Sequence, residues 1–125
     1  MAIDPKLPIL VVDDYSSMLR IMRNLLKQIG FANVDEALNG SEALFKLREN
    51  NYALVISDWN MEPMTGLELL REMREDEQMK DIPFIMVTAE SKTERVIEAK
   101  QAGVDNYIVK PFNAATLKAK ISALA

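Results

Sequence analysis

Four apolar runs in this chain each stop at a side chain able to do chemistry. Pro8-Ile9-Leu10-Val11-Val12 gives way to Asp13-Asp14, and Ala53-Leu54-Val55-Ile56 to Ser57-Asp58. Phe84-Ile85-Met86-Val87 ends at Thr88, and Tyr107-Ile108-Val109 at Lys110. Gathered in one place, three carboxylates would repel one another and hold on to protons unless something positive intervened. An all-oxygen donor set of this kind suits Mg²⁺, or Mn²⁺, rather than softer metals. Magnesium usually keeps several waters and takes one or two carboxylates plus a phosphate oxygen, so the set invites a phosphoryl group. Asp58 could then attack phosphorus and carry the group as an acyl phosphate, with Lys110 neutralising charge and the Thr88 hydroxyl donating a hydrogen bond.

What the sequence lacks narrows the alternatives. Its 125 residues include neither cysteine nor histidine. Disulfides, thiolate nucleophiles, Ser-His or Cys-His machinery and the usual zinc ligands are therefore excluded, and any phosphohistidine donor must come from another protein. A net charge of −4 argues against a nucleic-acid partner. No apolar run approaches the roughly 20 residues of a membrane span, and no signal-peptide pattern opens the chain. The expectation is a single domain over residues 1–125, with no output domain, monomeric and cytoplasmic, without membrane insertion.

Parallel strands alternating with helices would bring the four runs together. After the first strand, Met18, Ile21, Met22, Leu25, Leu26 and Ile29 recur at helical spacing, and Gly30 is placed to end that helix. Val34 to Leu38 is a weaker strand, suited to a sheet edge. Asn39-Gly40-Ser41 then leads into a helix carrying Ala43, Leu44 and Leu47. Beyond the Asp58 strand, Thr65-x-x-Glu68 forms a capping box for a helix through Leu69, Leu70 and Met73; Ser91-x-x-Glu94 forms another, for a helix that stops near Gly103. A last helix from about Asn113 carries Leu117, Ile121 and Leu124. Five strands and five helices in alternation predict an α/β fold, a doubly wound parallel sheet with helices on both faces. In the order 2-1-3-4-5, strands one and three adjoin at the switch point, where such sheets bind ligands beyond their carboxyl ends.

Taken singly, each of these residues has an ordinary reading. An acidic pair before a helix can be a cap, Thr88 a turn hydroxyl and Lys110 a solvated charge. Taken together, Val11-Val12-Asp13-Asp14, Ser57-Asp58-Trp59-Asn60-Met61, Gly66-Leu67-Glu68-Leu69-Leu70, Val87-Thr88-Ala89-Glu90 and Val109-Lys110-Pro111-Phe112 resemble a response-regulator receiver domain over nearly the whole chain. The likeness is greatest to the family's single-domain chemotaxis members, which have the flavodoxin-like fold.

The resemblance implies a signalling switch of a two-component pathway, whose only catalysis is its own phosphorylation and dephosphorylation. Asp58 would be the phosphoacceptor, charged by a sensor histidine kinase or by a small donor such as acetyl phosphate. Asp14 and Asp58 would hold Mg²⁺ through their side chains, Asn60 through its backbone carbonyl and Asp13 largely through water. Lys110, aimed by a cis bond to Pro111, and Thr88 would contact the phosphoryl group, and Thr88 with Tyr107 would form the switch pair. Asn60 and Glu90 would set the hydrolysis rate. The face of the fourth helix, fifth strand and fifth helix, with Lys92, Arg95, Lys100, Lys118 and Lys120 around Tyr107, would meet a flagellar motor switch protein or another target, and a phosphatase could reset the site. One departure stands out: Glu62 occupies a usual proline position and Pro63 follows it, so the loop and its charge should differ. A phosphate sink, a non-chemotaxis adaptor, a Mg²⁺-dependent phosphatase and a nucleotide or flavin binder are the competing readings. The isolated glycines and the absence of a phosphate-cradling loop weigh against the last.

Overall fold

The computed structural model describes residues 6–89 and 93–124. It contains a five-stranded parallel sheet of β1 (Ile9–Val12), β2 (Val34–Ala37), β3 (Leu54–Asp58), β4 (Phe84–Thr88) and β5 (Asn106–Val109), in the order β2-β1-β3-β4-β5. Between and after the strands run α1 (Ser16–Ile29), α2 (Gly40–Glu49), α3 (Gly66–Glu75), α4 (Thr93–Ala102) and α5 (Ala114–Ser122). Elements and order are those expected from the alternation of patterns in the sequence.

The pleat of the three central strands divides the core into two layers, because successive side chains point to opposite faces. Leu10, Val12, Val55, Phe84 and Met86 pack with Ala43, Leu44 and Leu47 of α2, with Leu70 and Met73 of α3 and with Ala99 of α4. Ile9, Val11, Leu54, Ile56, Ile85, Val87 and Ile108 pack on the other face with Leu19, Met22 and Leu26 of α1 and with Leu117 and Ile121 of α5. Since both faces are covered, β1, β3 and β4 are buried along their whole length and read as unbroken apolar runs. Strand β2, at the sheet edge, is half-buried, which accounts for its Asp35 and Glu36.

Helix ends follow local signals. The Asn39 side chain accepts from Glu42 N at 2.8 Å and Asn113 from Thr116 N at 2.9 Å. Thr65 and Glu68 form the anticipated reciprocal box, Glu68 N donating to Thr65 Oγ1 at 3.2 Å and Thr65 N to Glu68 Oε1 at 3.1 Å. Gly30 closes α1 at φ 121°, a left-handed conformation that glycine adopts without a steric penalty. The expected Ser91 box lies outside the described residues. One core expectation needs correcting: Ile21 is 50% exposed and Leu19 is buried instead. The stripe facing the sheet runs through Leu19, Met22 and Leu26, and Ile21 lies about 100° round the helix from Met22.

Candidate functional site

The ladder that pairs the central strands also sets the height of the chemical side chains. Asp58 is the last residue of β3 and faces Val87 of β4 in register; Thr88 is one residue further along. Trp59 N donates to Val87 O at 2.9 Å, Lys110 N to Thr88 O at 2.8 Å and Asp13 N to Ala37 O at 3.1 Å. These bonds carry the ladder one step beyond the strands and fix the backbone at all four strand ends that bear the candidate groups.

Asp13, Asp14 and Asp58 each offer a carboxylate oxygen, and these atoms lie within 4.8 Å of one another. Lys110 Nζ is 3.0 Å from Asp58 Oδ1 and 3.9 Å from Asp13 Oδ2. The two acids it approaches are buried and Asp14 is exposed. Burial pushes the Asp13 carboxyl up to about 6; the Tyr15 N–H, donating at 3.0 Å, partly offsets this, and the charge of Asp58 adds to it. Burial likewise raises Asp58 above the usual carboxylate range, against the hydrogen bond and charge of Lys110 and with repulsion from Asp14. Three acids facing one lysine leave an excess of negative charge that a divalent cation would relieve, and every donor is oxygen. The residues present therefore fit Mg²⁺ or Mn²⁺.

Asp14 and Asp58 open into a cleft of about 710 Å³, lined besides by Tyr15, Asn60, Met61, Glu62, Thr65, Ala89 and Lys110. The loop that forms one wall is pinned at its far end, where Gly66 N donates to Trp59 O at 2.9 Å. A Cβ on Gly66 would lie 2.3 Å from the Asp58 carbonyl oxygen, so only glycine lets α3 start this close to β3. The Lys110–Pro111 bond is cis, as the resemblance implied; Glu62–Pro63 is cis as well, which was not anticipated.

Asp13, Asp14, Asp58 and Lys110 thus converge, and Asn60 stands at the rim. Thr88 is fully buried at the end of β4 and does not line the cleft; Ala89, after it, does. Tyr107 is half-buried against the layer of α2, α3 and α4. Glu90 and Lys92 lie outside the described residues. Sequence reasoning missed Tyr15 in the cleft wall, although its place beside Asp14 could have suggested it. Arg95, expected on the target-binding face, stacks over Trp59 with its guanidinium carbon 4.8 Å from the ring centroid.

A model of the response regulator receiver domain matches residues 9–122, and the chain belongs to that family. It is 49% identical over 122 residues to the chemotaxis protein CheY-3 of Vibrio cholerae serotype O1, covering 98% of this chain and 94% of the relative. Its identity to the chemotaxis protein CheY of Pseudomonas aeruginosa is 52% over 116 residues, covering 93% and 94%. Among solved structures, Vibrio cholerae CheY4 superposes with a TM-score of 0.89 at 34% identity, covering 96% of this chain and 99% of the other. A response regulator receiver protein from Pseudomonas putida superposes at 0.85 with 26% identity, covering 96% and 98%. The chain is a CheY-like receiver. No helix among the described residues is long and apolar enough to cross a membrane.

Proposed function

We propose that the protein is a chemotaxis response regulator that takes a phosphoryl group on Asp58 and uses it to change partner binding. The observation that carries this reading is the Lys110 ammonium 3.0 Å from an Asp58 carboxylate that shares its pocket with Asp13 and Asp14. An Asp58 oxygen attacks phosphorus. The new O–P bond replaces the P–N bond of a kinase phosphohistidine or the P–O bond of acetyl phosphate, and the imidazole or acetate leaves. Asp13, Asp14, Asp58 and the Asn60 carbonyl are the groups that would hold Mg²⁺, which when bound supplies counter-charge to the carboxylates and to the phosphoryl oxygens.

Lys110 is already beside the acceptor and exchanges a carboxylate contact for a phosphoryl one. Thr88 ends the neighbouring strand, and its hydroxyl moves to donate to a phosphoryl oxygen. Tyr107 responds on β5, and Asn60 and Glu90 set how fast water removes the group. A phosphoryl adds roughly −1.5 to −2 charge and three acceptors, enough to reorder a loop within reach. The chemotaxis names of the relatives support a sensor histidine kinase as donor and a flagellar motor switch protein or another pathway component as target, in the cytoplasm.

The test is intact-mass analysis after incubation with acetyl phosphate and Mg²⁺. One phosphoryl group should be gained by the wild type, and none by Asp58→Asn or in excess EDTA. Labelling of Asp58→Asn would refute the acceptor assignment, and labelling unaffected by EDTA would contradict the need for a cation at the acids.

A further inference from the structure

Among the contacts of Arg95 are two that the phosphotransfer itself does not use. It lies in the first turn of α4, and its guanidinium covers the ring of buried Trp59. Through Nη1 it donates to Asn60 Oδ1 at 3.4 Å. One side chain of α4 thereby holds the two residues that directly follow Asp58. The stack on the ring matters for the second contact, because a guanidinium resting on an aromatic face gives up much of its freedom and keeps its planar fork aimed.

A carboxamide has an acceptor end and a donor end, and they are not interchangeable. The Arg95 contact occupies one of the two acceptor sites of Oδ1 and draws that oxygen toward α4, which leaves the NH₂ as the other end of the amide for the cleft that Asn60 lines. Water attacking a phosphoryl group on Asp58 must be oriented by a group that accepts its hydrogen, and an amide oxygen can do this where an NH₂ cannot. We propose that Arg95 is a positioning residue that prolongs the phosphorylated state by keeping the Asn60 amide oxygen away from the hydrolytic water. The proposal rests on Asp58 being the phosphoacceptor.

The experiment loads wild type, Arg95→Ala, Arg95→Met, Asn60→Ala and the Arg95→Met/Asn60→Ala double variant from acetyl phosphate with Mg²⁺. The donor is then removed and phosphoryl loss followed by intact mass. Methionine keeps an elongated side chain on the Trp59 ring but donates no hydrogen bond, so it separates packing from positioning. Trp59 is the sole tryptophan, and its emission checks that the local fold survives. Arg95→Met and Arg95→Ala should both lose phosphoryl about two- to five-fold faster, the size of one partly exposed charged hydrogen bond. In the Asn60→Ala background the Arg95 change should have no effect. Unchanged or slower loss in folded Arg95→Met would overturn the proposal, as would equal acceleration with and without Asn60. Failure of the wild type to take label on Asp58 would defeat the acceptor reading too, whereas normal labelling with unaltered decay would defeat this inference alone.

Discussion

Asp13 shows what the site costs the fold. Its carboxyl is buried, titrates near 6, and is compensated mainly by one backbone N–H and a lysine 3.9 Å away. Because the folded protein holds this proton to a higher pH than the unfolded chain, the native state binds more protons between about pH 4 and 6. The resulting penalty is absent below that window and fully present above it. Asp13→Asn removes the charge and keeps an oxygen for the Tyr15 N–H, so in EDTA at pH 7.5 it should stabilise the protein by about 1–3 kcal/mol. Urea unfolding of both proteins from pH 7.5 to 4.5 checks the sign: the advantage of the variant should shrink as pH falls, and added Mg²⁺ should stabilise the wild type more than Asp13→Asn. An advantage that grew in acid would contradict the burial argument.

At the scale of elements, the strand ends and the helix starts hold the site together. Gly66 is the tightest joint: a methyl there would meet the Asp58 carbonyl at 2.3 Å and Met86 Sδ at 2.9 Å. Since the first obstacle is backbone, relief means moving α3 or the end of β3. Gly66→Ala should therefore destabilise by about 1–3 kcal/mol and slow labelling of Asp58, measured by urea unfolding and by the initial rate with acetyl phosphate. A stable variant with normal labelling would mean that the joint is loose. This level of organisation was largely legible in the sequence, because buried parallel strands write themselves as apolar runs and Thr65-x-x-Glu68 marks a helix start by its own chemistry. What stayed hidden depends on pairings that no periodicity encodes. The stack of Arg95 on Trp59 joins residues of opposite character far apart in the chain. So does Arg74, which reaches Gly103 O at 3.0 Å, Ile82 O at 2.8 Å and Asp105 at 2.9 Å. Ile21 was misread for a related reason: helical spacing defines a stripe, but only the packing of α1 on the sheet decides where the stripe is centred.

Across the whole molecule, the sheet works as a rigid plate whose carboxyl edge carries the acids while its flanking helices present the outer faces. Lys110 is where edge and face meet. Its backbone N–H is tied to Thr88 O, its ammonium to Asp58, and Tyr107 lies three residues earlier in the same segment. A phosphoryl group on Asp58 would replace the carboxylate as the partner of that ammonium, and the pull would reach Tyr107 through β5 and through the end of β4. Lys110→Ala removes the connection without removing any metal-binding oxygen. Mg²⁺ binding, followed by Trp59 emission, should stay within about three-fold of wild type, a shift below 1 kcal/mol. Asp58 should still take label, more slowly for want of the neutralising charge. The Tyr107 response should be lost. Fluorotyrosine NMR reads this directly, since the chain has three tyrosines and Tyr107→Phe assigns the signal. In the wild type the Tyr107 resonance should shift on phosphorylation, and in phosphorylated Lys110→Ala it should stay at its resting position. A full shift in the variant would mean that the signal reaches the face by a route that bypasses Lys110, with Thr88 and the loop after β4 the remaining connection.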